Sequence, residues 1–298
     1  VYVVLTLAGV ALVMATGLGF FASLVHVLAS VSTGGFGMRA DSLATIGAWP
    51  TQLAILLVCC FGAVPLVAYH RGWRRGLRSF AADVQVRALA FAIVALGATM
   101  VAVLVLVDGF APAAALRHGA FQILSAQSTT GFSTLDLAAL SDAAKLVLVA
   151  AMFVGGGAGS TAGGIKLLRA VGAVRILRGI VSSAGLPPHA VESDVEVGGQ
   201  RLGGDEATQL LLVVLLFVAV VVASTAAFMV AGFAPVDALF EVVSATATVG
   251  LSTGITSATL SGGLKAVLCA DMLFGRVEIM AALVVLYPRT WIGLRREG

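Results

Sequence analysis

Long apolar runs without charged side chains alternate with shorter apolar segments along this chain. Residues 210–233 and 88–107 carry no charge, and each run is long enough to supply the roughly 20 residues that cross the hydrocarbon core of a bilayer. Residues 53–69 form a shorter run that contains Pro65, but the basic residues after it would anchor one end at a headgroup surface. We therefore predict three membrane-spanning helices from these runs.

Three other apolar segments are too short to span a bilayer. They cover residues 21–32, 113–128 and 236–247, and at 1.5 Å per residue such helices reach only about 18 to 24 Å. A helix that enters a membrane and stops must return as non-helical backbone, which is tolerated only where protein buries it or where it lines a watery cavity. Because a polar stretch and another long apolar segment follow each one, we predict three re-entrant helices.

The same five-residue motif follows each short segment. It reads Thr, any residue, Gly, a bulky apolar residue and a small residue. One copy would be an ordinary helix stop, but three copies with matching flanks on one side of the membrane indicate a repeated functional unit. The copies are Thr33, Gly34, Gly35, Phe36 and Gly37; Thr129, Thr130, Gly131, Phe132 and Ser133; and Thr248, Val249, Gly250, Leu251 and Ser252.

The glycine at the third motif position indicates what these repeats do. Glycine permits backbone angles that are closed to other residues and lets chains approach closely, so that successive carbonyl groups can point the same way. A ring of such carbonyls replaces the hydration shell of a monovalent cation in potassium-channel filters, and the negative end of each short helix would point toward the ion. The repeats therefore predict an ion filter.

Composition and charge agree with a membrane protein and indicate its orientation. Of 298 residues, 59% are hydrophobic and only 11% are charged. Basic residues concentrate in residues 71–87, 166–201 and 289–296, which predicts that these segments and the C-terminus are cytoplasmic. The net charge of +3 follows from this sorting and requires no nucleic-acid partner. The three cysteines have neither disulfide nor zinc spacing, and no cluster of catalytic side chains supports an enzyme.

A glycine-rich run interrupts the long apolar segment at residues 143–177. Residues 155–164 contain six glycines in ten positions, and each glycine costs up to about 1 kcal/mol relative to alanine in a helix, so we predict that the helix breaks here. A nucleotide-binding loop is the competing interpretation. Such a loop requires Gly-Lys followed by Ser or Thr, whereas Lys166 follows Ile165 and precedes Leu167.

Three charged residues interrupt the last apolar segment, residues 264–287. Asp271, Arg276 and Glu278 would each cost about 2.5 to 3.5 kcal/mol if they faced lipid, so they must face protein or water. At 100° per residue Asp271 and Glu278 share one helix face, and Arg276 lies nearly opposite. We expect the two acids to face neighbouring helices, where the basic side chains within residues 166–169 are possible partners.

Taken together, these motifs resemble the Trk/Ktr/HKT family of potassium transporters, and within it the bacterial Trk membrane subunits. The resemblance implies an all-α integral membrane fold of four units around one pseudo-fourfold pore, each unit a membrane helix, a re-entrant pore loop and a second membrane helix. Three units are present, and Val1 enters an apolar run with no initiator methionine, so we expect the first unit to lie upstream. The residues that carry the resemblance are 31–36, 128–134, 152–156 with 158–166, and 272–276.

The resemblance also divides the chain into segments. A cytoplasmic linker separates the last unit from the others, and within it residues 195–202 have the pattern of a small hairpin around a Gly-Gly pair. The segments are residues 1–80 for the second unit, residues 81–178 for the third unit with its broken second helix, residues 179–208 for the linker and residues 209–298 for the fourth unit.

By the same resemblance, ion binding and gating fall on particular residues. Arg276 is expected to be a positive barrier below the filter, with membership of a buried ion pair as the alternative. His26, His118 and Glu241 lie on the short helices, where packing or hydrogen bonding is expected rather than proton transfer. The filter residues are Thr33, Gly34, Gly35, Phe36, Thr129, Thr130, Gly131, Phe132, Thr248, Val249, Gly250 and Leu251. The mobile intramembrane loop that gates the pore is Gly155, Gly156, Gly157, Gly159, Ser160, Thr161, Gly163 and Gly164.

The function implied is potassium uptake across the inner (cytoplasmic) membrane, with K⁺ as the transported ion and no cofactor. The resemblance further implies a homodimer and a cytosolic nucleotide-binding regulatory ring (TrkA-like) that docks on the linker, for which a plain linker is the alternative. A sodium-permeable or non-selective cation transporter of the same fold is an alternative, because the first pore loop, whose Ser or Gly is associated with ion preference, is missing. A broken-helix secondary transporter of small solutes and a non-transporting scaffold are further alternatives that leave the repeats unexplained.

Overall fold

The computed structural model describes residues 1–38, 42–43, 46, 49–183, 195–197, 200–277 and 284. Over these residues the regular secondary structure is helical apart from one hairpin, which confirms the all-α class. The helices are α1 (Tyr2–Met14), α2 (Phe20–Val31), α3 (Trp49–Gly62), α4 (Leu66–Arg75), α5 (Leu77–Ala81), α6 (Val84–Leu106), α7 (Pro112–Gln127), α8 (Asp142–Val154), α9 (Leu167–Ser183), α10 (Gly204–Val230), α11 (Pro235–Thr246) and α12 (Gly262–Val277).

The hairpin lies in the linker between α9 and α10. Its strands are β1 (Val195–Val197) and β2 (Gln200–Leu202), which pair antiparallel with Val195 opposite Leu202. The two turn residues lie outside the described part of the chain. The strands therefore agree with the small hairpin that the sequence predicts.

Among the described residues, two helices are long and apolar enough to cross a bilayer on their own. They are α6, with 23 residues, and α10, with 27 residues, and they confirm the two long helices expected from the sequence. α6 begins after Asp83, whose carboxylate accepts the N–H of Gln85 at 2.9 Å and so caps the helix. Phe91 and Leu106 are 75% and 82% exposed, so α6 presents an apolar face that suits lipid.

The third predicted span, at residues 53–69, falls on two helices and is not one continuous helix. α3 ends at Gly62, and α4 begins after Pro65 with an 88° bend between the two helices. Proline lacks the N–H of a helical bond and its ring clashes with the preceding turn, and it drives the residue before it toward extended backbone. The chain therefore turns sharply, and α4 carries its basic residues away from the axis of α3.

Three short helices lie where the sequence predicts re-entrant segments. α2, α7 and α11 have 12, 16 and 12 residues, and each begins and ends one residue earlier than expected. Pro112 and Pro235 occupy the first position of α7 and α11, where a missing N–H costs no helical hydrogen bond. After each short helix comes an irregular segment and then another apolar helix, namely α3, α8 or α12.

These helix–loop–helix units pack side by side. α2 contacts α1 and α3, α7 contacts α6 and α8, and α11 contacts α8, α10 and α12, while α3 also contacts α7. Because lipid chains are as apolar as the buried side chains, close packing rather than transfer from water must stabilise such contacts. At Gly9 of α1, for example, a β-carbon would lie 2.9 Å from Val27 of α2. Each of the three short helices is thereby packed against at least two other helices.

The glycine-rich run separates two helices, as the sequence predicts. α8 ends at Val154 and α9 begins at Leu167, and residues 155–166 between them form no regular helix. The last helix is described only in part. α12 ends at Val277, and Glu278 with the remainder of the predicted segment to residue 287 lies outside the described residues, residue 284 excepted.

Candidate ion pathway

The three motif copies form loops with equivalent backbone conformations. We name them the first loop (residues 33–37), the second loop (residues 129–133) and the third loop (residues 248–252). The threonine that opens each loop has left-handed backbone, with φ of 50°, 54° and 54° for Thr33, Thr129 and Thr248. This region is a genuine outlier for a β-branched residue, and such strain persists only where the surrounding structure enforces it. The glycines are the residues whose type predicts unusual backbone, and the left-handed conformation of the threonines could not be predicted from residue type.

The strained threonine closes the end of each short helix. The N–H of Thr33 donates to the carbonyl of Ser30 at 3.1 Å, and the N–H of Gly34 donates to the carbonyl of Ala29 at 2.8 Å. This pair of bonds is the Schellman arrangement, in which the left-handed position is usually glycine. The equivalent bonds run from Thr129 to Ala126, from Thr130 to Ser125, from Thr248 to Ala245 and from Val249 to Ser244.

The glycine at the third position of each loop is left-handed as well. Its φ is 66° at Gly35, 84° at Gly131 and 90° at Gly250, and the residue between it and the threonine has negative φ. Alternation of backbone hand turns successive peptide groups so that their carbonyl oxygens face one side. This is the backbone geometry that an ion filter made of carbonyls requires.

The loops are neighbours in a regular succession. A β-carbon added to Gly35 of the first loop would overlap the carbonyl oxygen of Thr130 in the second, and one added to Gly131 would overlap the carbonyl oxygen of Val249 in the third. At the equivalent Gly250, no described atom lies within 4 Å of such a β-carbon. The fold thus brings all three sets of predicted filter residues together, in the order of the chain.

The bulky fourth residue of the loops differs in its surroundings. Phe132 and Leu251 are buried, at 0% and 3% exposure, whereas Phe36 is 77% exposed. Phe36 and Gly34 line a cavity of about 680 Å³ together with residues 248–252 and Arg276. The first and third loops therefore face each other across this cavity.

The glycine-rich segment, which we name the glycine loop (residues 155–164), lies against the ends of all three short helices. The Thr161 hydroxyl is 2.9 Å from the carbonyl oxygen of Val31 at the end of α2. The N–H of Gly163 donates to the Thr129 hydroxyl at 2.7 Å, and a β-carbon on Gly163 would overlap the carbonyl oxygen of Ala247 after α11. The predicted gate residues therefore touch the predicted filter directly.

Close packing explains why positions 156 and 157 are glycine, which the need to break a helix does not explain by itself. A β-carbon on Gly156 would collide with the Ala162 side chain, and one on Gly157 would lie 2.5 Å from the ring of Pro65. The N–H of Gly157 also donates to the carbonyl of Ala63 at 3.0 Å. The kink between α3 and α4 thus forms a seat for the glycine loop, and side chains have no room there.

Arg276 joins the glycine loop to the last helix. Its Nη1 donates to the carbonyl oxygen of Thr161 at 3.1 Å, and the side chain is exposed. Arg276 lines two cavities. One is the cavity that it shares with the third loop, and the other has a volume of about 280 Å³ and is formed by the glycine loop and the start of α9. At the neighbouring Gly275, a β-carbon would overlap the carbonyl oxygen of Thr246, so α12 lies directly against the end of α11.

Asp271 faces a neighbouring helix, but its partner differs from the one expected. The carboxylate is buried and accepts the Ser224 hydroxyl of α10 at 2.8 Å. Among the described residues, neither Lys166 nor Arg169 bonds this carboxylate, and one bond of Lys166 Nζ goes to the carbonyl oxygen of Ala162. The difference arises because α12 packs on α10, a long-range arrangement that helix periodicity leaves open.

The sequence matches a known family of transport proteins. The family model TrkH, described as cation transport protein, matches residues 2–289. The potassium uptake protein TrkI of Halomonas elongata is 30% identical over 286 residues, which cover 90% of this chain and 56% of that protein. An uncharacterised cation transporter of Methanocaldococcus jannaschii is 24% identical over 287 residues, which cover 96% of this chain and 57% of that protein.

A solved structure shares the fold. The crystal structure of the potassium transporter TrkH from Vibrio parahaemolyticus has a TM-score of 0.87 at 23% sequence identity, and the match covers 96% of this chain and 62% of that one. The chain therefore spans less than two thirds of the length of these relatives. Because the family match extends over nearly the whole sequence, the chain belongs to the TrkH family of cation transport proteins.

Proposed function

We propose that the complete protein takes up potassium across the cytoplasmic (inner) membrane through a filter lined by the carbonyl groups of the three loops and of a fourth. The observation that carries this proposal is the repeated left-handed threonine and glycine in loops that touch each other through Gly35 and Gly131. Two relatives are named as potassium proteins, the uptake protein TrkI and the transporter TrkH.

Potassium binding in such a filter rests on replacement of water by protein oxygens. A dehydrated monovalent cation needs several oxygens at once, and a ring of backbone carbonyls supplies them. Each of α2, α7 and α11 ends directly at its loop, so the negative ends of the three helix dipoles, each equivalent to about half an elementary charge, add to the attraction. The proposed ligands are residues 33–36, 129–132 and 248–251.

A fourth unit would complete the ring. The free space beside Gly250 is the position where the next loop would pack, if the contact made at Gly35 and Gly131 is repeated. The relatives are longer than this chain and leave room for such a unit. We assign the second, third and fourth units to residues 1–80, 81–178 and 209–298, with residues 179–208 as the linker, and we expect three loops alone not to conduct selectively.

The glycine loop and Arg276 are proposed to close the cytoplasmic side of the pore. The loop contacts the ends of α2 and α7 and packs against the backbone at Ala247, so it obstructs any path that leads down from the filter. Arg276 adds a positive charge that repels cations. The basic residues of α4 and α9 are consistent with a cytoplasmic location for this side.

The linker and α9 are the proposed docking surface for a cytosolic nucleotide-binding ring, and the complete protein is proposed to be a homodimer. Movement of α9 would pull directly on the glycine loop, because α9 begins only three residues after it. Co-purification of the ring with the complete protein tests this assignment, with deletion of residues 195–202 expected to reduce recovery of the ring.

Growth rescue is the test of the proposed function. The complete protein should restore growth of potassium-uptake-deficient cells at low potassium and should support rubidium influx, with a Gly131→Ala variant as the inactive control. Failure of a well-expressed wild type to rescue would overturn the proposal. Sodium influx equal to or above rubidium influx would instead support the sodium-permeable or non-selective alternative.

A further inference from the structure

The second and third loops are each tied to their own short helix by a side chain seven residues before the loop threonine. In α7 that residue is Gln122, whose Nε2 donates to the Ser133 hydroxyl at 2.7 Å. In α11 it is Glu241, whose Oε1 accepts the Ser252 hydroxyl at 2.6 Å. Ser133 and Ser252 are both the last residue of their loops, so the two ties are equivalent.

Glu241 does more than its counterpart in α7. Its carboxylate also accepts the Thr253 N–H at 2.8 Å, the Thr253 hydroxyl at 3.2 Å and the Thr256 hydroxyl at 2.7 Å. The residue is only 4% exposed, and burial of a carboxylate is tolerated only when hydrogen bonds of this kind satisfy it. Bonds to an ionised acceptor are about twice as strong as neutral ones. Residues 252–256 are therefore folded around this one carboxylate.

Among the described residues, the first loop has no such tie. The equivalent helix position is His26 and the equivalent loop position is Gly37, which has no hydroxyl to offer. The His26 ring packs edge-on against Phe132, with 6.1 Å between the centroids, and its Nδ1 has no hydrogen-bond partner among the described residues. The tie is thus a property of particular loops and not a general requirement for ending a short helix.

We infer that Glu241 is a positioning residue that sets the ion preference of the filter. It holds residues 252–256 behind the third loop, and this fixes the third loop where the Val249 carbonyl abuts Gly131 of the second loop. If the third loop moves, the spacing of carbonyl oxygens around the ion changes. The difference between the binding free energies of potassium and sodium then changes as well. This inference rests on the proposed function, because it names what tunes that same filter.

A glutamine in place of Glu241 is the sharpest variant. Its side chain has the same shape, but its amide group is a donor where the carboxylate accepts, so it would point N–H groups at the donors of residues 252–256. One or more buried donors would then lack an acceptor, at a cost that corresponds to about a tenfold change in an equilibrium. We expect Glu241→Gln to lower the preference for rubidium over sodium by about tenfold and to raise the rubidium concentration at half-maximal influx.

The chain offers a matched control on the same helix. Asp237 lies one turn before Glu241 and pairs with buried Lys145 of α8 at 2.7 Å, with no bond to any loop residue among those described. Asp237→Asn removes the same charge and leaves a buried lysine unpaired, so we expect lower thermal stability of the purified protein. Its ion preference, measured at equal protein amount, should equal that of the wild type.

The measurement is rubidium and sodium influx into proteoliposomes that contain the complete protein. Wild-type preference in Glu241→Gln overturns the inference, as does an equal loss of preference in Asp237→Asn. If Glu241→Gln does not reach the membrane, the inference is tested with Ser252→Ala. This variant removes one donor to Glu241 and should lower the preference for rubidium over sodium about threefold. No rubidium influx by the wild type would instead overturn the proposed function, and the inference with it.

Discussion

The first and second loops have the same backbone conformation but are held in different ways. In the second loop, the Ser125 hydroxyl donates to the carbonyl of Phe132 at 2.6 Å, and the Phe132 ring is fully buried. In the first loop, Ala29 replaces this serine and Phe36 is largely exposed. Both loops nevertheless have left-handed threonine and glycine, so the motif and the helix end determine the conformation, and the flanking side chains determine how firmly it is held.

This comparison separates two kinds of residue in the pathway. Residues that create the conformation should be needed equally in every loop, because the backbone geometry is the same. Side chains that only hold the loop conformation by a hydrogen bond should affect ion preference in the loop that they bond. Replacement of the equivalent residue in a loop without that bond should have little effect. The four predictions below test this division, from the largest expected effect to the smallest.

Replacement of the loop glycines should abolish transport in both loops alike. Gly35→Ala and Gly131→Ala each place a side chain in the left-handed region and onto the carbonyl of the next loop, which costs several kcal/mol and should reduce rubidium influx at least about a hundredfold. Gly97→Ala is the control, since that glycine lies within α6 with open space around it. Retention of selective influx by either loop variant would contradict the equivalence of the loops.

Arg276→Gln should make rubidium influx faster, because its effect does not depend on the conformation of any one loop. At an effective dielectric constant near 20, a unit charge that acts on a cation over about 10 Å contributes a barrier equivalent to about a tenfold change in rate, so we expect its removal to make rubidium influx about tenfold faster. The loss of the bond to Thr161 should also loosen the glycine loop. Lys265→Gln on the same helix is the control, because Lys265 bonds the carbonyl of Ala258, outside the third loop. Poor assembly without faster influx would favour a purely structural role for Arg276.

Ser125→Ala should weaken the second loop specifically. The variant leaves the second loop with the residue type that the first loop already has at this position, and it removes one buried hydrogen bond. We expect about a fivefold loss of rubidium preference over sodium, measured as the ratio of influx rates. The reciprocal change, Ala29→Ser, should alter the ratio less than about twofold, because the first loop has the same backbone conformation without this hydrogen bond. Equal effects of the two changes on the ratio would show that the Ser125 hydrogen bond does not make the second loop different from the first.

Thr161→Val should loosen the contact between the glycine loop and the second unit, residues 1–80. The variant keeps the shape but removes the hydroxyl that reaches the carbonyls of Val31 and Gly62, while the bond from Gly163 to Thr129 in the third unit remains. One neutral hydrogen bond corresponds to about a threefold rise in rubidium influx. Ser182→Ala, at an exposed site on α9, is the control. Unchanged influx would mean that the remaining contacts hold the glycine loop without this hydroxyl.

The amino-acid sequence by itself determined the helices and the places where they break. The ends of α2, α7 and α11 lie within one residue of their predicted ends, and the helix over residues 143–177 breaks at the glycine run. These features are local, since apolar run length, a threonine–glycine motif and the helix cost of glycine act over a few residues. The sequence also indicated the family, because its motifs recur in a fixed order along the chain.

Only the tertiary structure decided how those pieces meet. The contacts of Gly35 and Gly131 with the next loop, the contact of Gly157 with the ring of Pro65 and the four donors around Glu241 depend on atoms from segments that are separate along the chain. The glycines of residues 155–164 are another case, because several of them lie where a neighbouring backbone or ring leaves no space for a side chain. Steric room and hydrogen-bond satisfaction are properties of the packed chain, and for this reason no pattern along the sequence could reveal them.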